Sequence, residues 1–240
     1  MIFCIFYVIM ITIFIEMGET MEFKRARTDK QKDQRLHQIL QVAEDLLQKH
    51  DYADINMKLI AEHLDYTRGN LYKYYATKEE IFSALFQKQL HLWIEDTLQN
   101  FAKAGKLSDK EFAALWSQTI AKYGTMLKID SLLSTIIENN IDFEKLIEFK
   151  STIINDFYRL LPLVKTQLPF FTEAETKDFL YFQLLHASAL YMNIQARNRE
   201  QKLLKICDPA YNFIEFIPTF KDYLYTQICG IKTIHAKKKS

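Results

Sequence analysis

The stretch Thr67-Arg68-Gly69-Asn70-Leu71-Tyr72-Lys73-Tyr74-Tyr75 decides how the rest of the chain is read. On a helix, Leu71 and Tyr75 lie four apart and point inward, packing on Ile60 and Leu64 of the preceding segment. Arg68, Asn70 and Lys73 then point away from the core. A helix that enters a DNA major groove needs outward-facing residues of this short, polar and cationic kind. Arg and Lys read guanine edges and Asn reads adenine, each good bidentate contact being worth about 1–3 kcal/mol. Gly69 has no side chain and lets backbone approach phosphate closely. Tyr72 and Tyr74 offer hydroxyls to the phosphate backbone.

The segments on either side agree with this reading. Upstream, Leu36, Ile39, Leu40, Ala43, Leu46 and Leu47 recur at helical spacing and predict an amphipathic helix over about residues 30–49. Asn56 caps a short helix carrying Met57, Ile60, Ala61 and Leu64; Asp65-Tyr66 makes a tight turn, and Thr67 caps the helix that runs to about Tyr75. Downstream, Thr77-Lys78-Glu79-Glu80 reads as a capping box that opens a long helix through Ile81, Leu85, Leu92 and Leu98 toward Gly105. Lys78 falls in its first turn, where amide dipoles already favour anions, and reads as a phosphate clamp. Four helices between residues 30 and 105, the second and third very short, read as a helix-turn-helix reader with a stalk behind it. The alternative is an ordinary αα-hairpin whose aromatic cluster is core.

The run from Ile60 to Ile81, Ile-Ala-Glu-His-Leu-Asp-Tyr-Thr-Arg-Gly-Asn-Leu-Tyr-Lys-Tyr-Tyr-Ala-Thr-Lys-Glu-Glu-Ile, resembles the DNA-binding signature of the tetracycline-repressor (TetR) family. That pattern is Ile-Ala, a turn, then Ser/Thr-x-Gly-x-Leu-Tyr-x-Tyr/His-Phe-x-x-Lys-x-x-Leu. The match is ungapped over these 22 residues, and with the first helix the resemblance covers about residues 30–90. It implies that Thr67, Tyr72, Tyr74 and Lys78 hold phosphates, and that Lys58, Arg68, Asn70 and Lys73 lie where base contacts are made. Two positions depart from the pattern. Asp65 stands where the family usually has Gly, and Tyr75 replaces Phe, so that its hydroxyl must reach water or a partner.

Composition sets the fold class. Five glycines and four prolines in 240 residues are far below the usual share of roughly 12%. A β-sandwich or barrel needs turn chemistry about every 8–12 residues, so the chain is expected to be all-α: a three-helix DNA-binding domain followed by a larger helical bundle. The glycines never cluster, which excludes glycine-rich phosphate loops. Overall charge is +1, but Lys24, Arg25, Arg27, Lys30, Lys32 and Arg35 face only Asp29 and Asp33 before and within the first helix. This run is either a solvated face or an arm for phosphate or the minor groove. Cys4, Cys207 and Cys229 are few, odd in number and without C-x-x-C spacing, fitting a reducing cytoplasm and no metal site.

Residues Ile2 to Ile15 are uninterruptedly apolar, yet a spanning helix needs about 20 such residues. No cation precedes them, as a secretory signal requires. Gly18-Glu19 can be encoded as a purine-rich ribosome-binding sequence just before Met21. We therefore expect translation to begin at Met21 and residues 1–20 to be a mis-assigned extension; a membrane tether through Ile2–Ile15 is the alternative.

The expected organisation is a DNA-binding domain at 21–80, an effector-binding and dimerisation domain at 81–230 and a basic tail at 231–240. In the second domain, helices are expected from Ser108 to Gly124, over Ser131–Asn139 and over Asp142–Leu161, closed by Pro162. Thr172–Ala196 is apolar all round, and Ala210–Cys229 is interrupted near Pro218, with Glu200–Asp208 a polar connector. The family resemblance implies that these last two long helices form a four-helix dimer interface. Trp116, Tyr123, Phe143 and Phe157 either line an effector pocket or are core; His186, alone in an apolar helix, is a further pocket candidate beside its reading as a core histidine. His91 and Glu95 read as a surface ion pair. No H-E-x-x-H, G-x-S-x-G or repeated E-x-x-H pattern is present, so an enzyme and a bound cofactor are not expected. The expected function is a cytoplasmic, homodimeric repressor, released from a palindromic double-stranded DNA operator by an unidentified small-molecule effector. The rivals are a membrane-tethered regulator and a helical small-molecule-binding protein or enzyme with a vestigial reader.

Overall fold

In the computed structural model, residues 30–64 and 67–238 are described; the expectations placed on residues 1–29 and on the turn at 65–66 lie outside them. The described residues are helical throughout, with no strand among them. They form two compact units that divide between Tyr74 and Tyr75.

In the first unit, α1 covers residues 30–49 and buries Ile39, Leu40, Ala43, Leu46 and Leu47 on one face, as its periodicity predicts. A 3₁₀ turn at Tyr52–Asp54 seats Tyr52 and leads to α2, Met57–Glu62. Asn56 caps α2 by accepting from the amides of Lys58 and Leu59, each at 3.0 Å. Helix α3, Arg68–Leu71, is only four residues long. Its last turn tightens into 3₁₀ bonds, Lys73 N to Asn70 O and Tyr74 N to Leu71 O, so helical backbone ends near Tyr74 rather than Tyr75. Thr67 stands at the N-cap with extended backbone, but its side chain makes no capping bond.

The second unit is built on α4, Lys78–Ala104. Thr77 Oγ1 accepts from Glu80 N at 3.2 Å, while the Glu80 carboxylate accepts from Ala76 N at 3.0 Å. The reciprocal bond of a capping box is thus displaced by one residue. Gly105, with φ +71°, ends the helix in the left-handed half of backbone space that favours glycine. Around α4 pack α5 (Asp109–Ile120), α6 (Gly124–Leu132) and α7 (Phe143–Tyr158). Between α6 and α7 lie a π-turn at Leu133–Ile137 and a 3₁₀ turn at Glu138–Asn140. Helix α8 (Leu161–Gln167) precedes α9 (Glu173–Arg199), which packs on α6. Helices α10 (Gln201–Cys207) and α11 (Phe216–Lys238) complete the unit, α11 lying on α5 and α9. The core is aromatic: Trp93, Phe101, Phe112, Trp116 and Phe179 meet with ring centroids 5.2–6.0 Å apart. Such pairs add about 0.5–1.5 kcal/mol each beyond area burial.

Several boundaries differ from expectation. The helix from Ser108 stops at Ile120, and Gly124 opens α6 instead of closing α5. Pro162 sits in the first turn of α8 and Pro218 in that of α11. Proline there gives up an amide that has no intrahelical acceptor, so each marks a start rather than a stop or an interruption. The connector at 200–208 contains α10, and α11 continues to Lys238, so residues 231–238 are helix rather than a free tail.

Candidate nucleic-acid interface and internal cavity

Leu71, with 0% exposure, anchors α3. Around it Thr67, Arg68, Gly69, Asn70, Tyr72 and Lys73 are exposed, and Tyr74 is half-buried. Arg68, Asn70 and Lys73 therefore present their donors to solvent. Arg68 folds back along the helix: its Nε and Nη2 donate to the Tyr72 hydroxyl at 3.2 and 2.9 Å. This leaves the Tyr72 O–H and the Nη1 edge of the Arg68 guanidinium as donors not used by that pair. The two side chains are pre-ordered by each other. Lys58 extends from α2 with its side chain 74% exposed, 3.7 Å from Glu62. No Cβ built on Gly69 meets any atom within 4 Å, so packing within the chain does not require glycine there.

An open groove brings α1 to this surface, and sequence reading missed it. Arg35, Gln38 and Gln41 of α1 line it together with Asn70, Lys73 and Tyr74. The signal was present as polar residues on the outer face of α1, three residues apart. The rim is polar and cationic, suited to a phosphate backbone.

In the second unit, Lys78 is the first residue of α4. Tyr75 is half-buried, and its phenol is pushed up to about 12, first by burial and then by the Glu80 carboxylate.

The second unit also holds a cavity of about 530 Å³. Its walls come from α4 (Phe86, Leu90), α7 (Ile153, Ile154, Phe157, Tyr158) and α9 (Leu180, Tyr181, Leu184, Leu185). The π-turn contributes Leu133 and Ser134, and the charged lining is Asp130, Glu138, Lys150, Lys177 and Asp178. Of the predicted pocket residues, Phe157 lines this cavity. Trp116 does not: it is fully buried, and its Nε1 donates to Gln183 Oε1 at 2.9 Å. Tyr123 is spent on a bond from its hydroxyl to Leu92 O. His186 stacks on Tyr223 with centroids 3.6 Å apart, away from the cavity, and burial lowers its pKa. Phe143 is 74% exposed. The cavity residues that sequence reading missed, Asp130 and Lys150 among them, carried no local signal. His91 faces both Glu95 and Asp156, joined by Arg159, in a cluster of ion pairs between α4 and α7.

A family profile described as the C-terminal domain of tetracyclin repressor-like proteins matches residues 87–235. A second, described as bacterial regulatory proteins of the tetR family, matches residues 39–85. The chain belongs to the tetracycline-repressor family. As a member it is a transcriptional regulator with a DNA-binding helix-turn-helix and an all-α fold. Among solved structures, this TetR-family regulator is similar to the fatty acid degradation regulator FadR from Bacillus halodurans, with 16% identity and a TM-score of 0.50, over 80% of this chain and 94% of that one. A TetR-family regulator from Streptomyces coelicolor is 19% identical, with a TM-score of 0.45 over 82% of this chain and 99% of that one. A TetR/AcrR-family regulator from Thermobifida fusca YX-ER1 is 16% identical, with a TM-score of 0.45 over 81% and 96%. At these identities the likeness to FadR speaks for the fold alone. No curated protein matches the chain. Among the described residues, no helix is long and apolar enough to cross a membrane.

Proposed function

We propose that this protein is a cytoplasmic, homodimeric repressor that binds a palindromic operator and leaves it when a small molecule enters the cavity of the second unit. One observation carries the DNA-reading part: Arg68, Asn70 and Lys73 stand exposed around the buried Leu71. In this reading Arg68, Asn70, Lys73 and Lys58 contact bases, Thr67, Tyr72, Tyr74 and Lys78 hold phosphate, and Gly69 lets the backbone approach. DNA reading belongs to residues 21–80, and effector binding and pairing belong to residues 81–230.

A four-residue helix makes few base contacts, so two copies on a two-fold site are physically sensible. Support for pairing comes from α9, whose Tyr181, Phe182 and Leu185 leave an apolar face exposed on the single chain at 64%, 52% and 52%. Faces of that kind mark interaction surfaces more often than solvated ones.

Support for effector release comes from α4. Phe86 and Leu90 on this helix line the cavity, and the same helix begins with Lys78, four residues after Tyr74. A ligand that displaces α4 changes the setting of the reader. It must bind the released state more tightly than the DNA-competent one, because equal affinity shifts nothing. By linkage, operator DNA weakens effector binding by the same factor.

The test is selection of random duplex DNA with the purified full chain. Enrichment of an inverted repeat is the expected result, and a pool that enriches no repeat overturns the reading.

A further inference from the structure

The cavity has two properties that together select a ligand. Its walls are apolar and rich in ring faces: Phe86, Phe157, Tyr158 and Tyr181 line it. Among those walls lies Asp130, whose carboxyl makes no ion pair among the described residues and sits beside the Ser188 hydroxyl. The other charges facing the cavity can be accounted for in turn. Lys150 is bound to Glu138 at 2.5 Å, and Lys177 to Glu173 at 2.8 Å. Asp178 is exposed. The lining thus holds three carboxylates against two ammonium groups, and both ammonium groups already have carboxylate partners.

An unpaired carboxylate in an apolar cavity is costly, and an occupant that carries a positive charge removes that cost. Aromatic faces attract the same charge. The protein already uses one in this way, since Lys177 Nζ lies 5.7 Å from the centroid of the Tyr158 ring at the cavity rim. An anionic head group would meet the opposite: Asp130 repels it, and neither lysine has its charge uncompensated. A volume of about 530 Å³ suits one ligand with an apolar body, within the usual span of small-molecule sites.

We infer that the effector of this regulator is an amphiphilic cation, an amine with an apolar chain or ring body, whose ammonium pairs with Asp130 while its body lies among Phe86, Leu90, Phe157 and Leu184. The inference rests on the reading of the cavity as the effector site and names the ligand class for it.

Burial pushes the Asp130 carboxyl up to about 6, with Glu138 raising it further and the Ser188 hydroxyl and Lys150 lowering it. Above pH 6 the group is charged and attracts the amine. Below pH 6 it takes a proton and the attraction goes, while the amine stays charged. Affinity for the cation therefore falls on acidification.

The test is calorimetric titration of the purified full chain with four twelve-carbon probes, each below its micelle concentration: dodecylamine, dodecyltrimethylammonium, dodecanol and dodecanoate. At pH 7.5 both cations should bind at least about tenfold more tightly than the alcohol, with the carboxylate weakest. Asp130→Asn should bring the cations down to the level of the alcohol, and between pH 7.5 and 5.5 the cations should weaken on the native chain but not on this variant. Ile154→Trp, which fills the cavity from its exposed side, should weaken all four. Dodecanoate binding as tightly as dodecylamine overturns the inference, as does an Asp130→Asn chain that keeps full affinity for the amines. If in those cases Ile154→Trp still blocks binding, the cavity stands as a ligand site and only the choice of a cation fails. Binding by none of the four, or binding that Ile154→Trp leaves intact, overturns both.

Discussion

Helices α3 and α9 divide the labour of this molecule in opposite ways. Four residues make α3, and of these only Leu71 is buried. An isolated helix shorter than about 12–15 residues is marginal in water, so α3 holds its shape through that one side chain and the turns on either side. Every other residue of it is exposed. Helix α9 spans 27 residues and commits Phe179, Leu180, Gln183, Leu184, Ala187 and Ser188 to the interior. Even its exposed face is apolar at Tyr181, Phe182 and Leu185. The roles proposed for the two helices fit this difference: DNA recognition needs few, polar and well-placed groups, whereas a ligand cavity and a pairing surface need area.

The contrast is open to direct attack. The largest effect is expected in the aromatic core against which α9 packs. Trp116→Ala should lose about 3–5 kcal/mol of stability in denaturant unfolding, since it leaves a large cavity and strands the Gln183 amide oxygen. Leu71→Ala should lose about 2 kcal/mol, the low end for a buried leucine, because a four-residue element can collapse around the gap. Equal losses at the two sites would mean that α3 is as deeply supported as α9.

The next largest effects are on DNA affinity, measured on the selected duplex. Arg68→Ala should cost about 1–3 kcal/mol and relax preference at one position of each half-site. Lys78→Ala should weaken all sequences alike and lower the salt slope by about one. A loss of specificity from Lys78→Ala alone would exchange the two roles.

The smallest effect is at Gly69. Gly69→Ala should leave thermal stability within about 0.5 kcal/mol, because nothing in the chain lies near its Cβ position. The same substitution should weaken operator binding, because the added methyl faces the duplex. Unchanged affinity would remove close backbone approach from the proposed contacts.

How far the sequence could be read follows from the range of the interactions concerned. The caps at Asn56 and Thr77, the termination at Gly105 and the outward Arg68, Asn70 and Lys73 are set by neighbours within a few residues, and the sequence displays such neighbours directly. Pro162 and Pro218 misled because a proline looks the same at the start of a helix as at the end of one. Trp116 and Phe157 were equal candidates for the pocket, being large aromatic residues on middle helices. Only packing separated them: Trp116 meets Trp93, Phe101, Phe112 and Phe179 on all sides, while Phe157 faces open space as well as Trp93. Asp130 was invisible for the same reason, as its burial results from helices distant in sequence.

Composition and local pattern alone therefore determined that the chain is helical and that a short cationic helix near residue 70 is shaped for DNA, because helix periodicity, capping and outward polarity are encoded in adjacent residues. The tertiary structure decided where an apolar cavity opens, which aromatic rings line it and which carboxylate it half-buries there without a cationic partner among the described residues. Those features depend on α4, α6, α7 and α9 meeting in space, and no stretch of sequence contains that meeting.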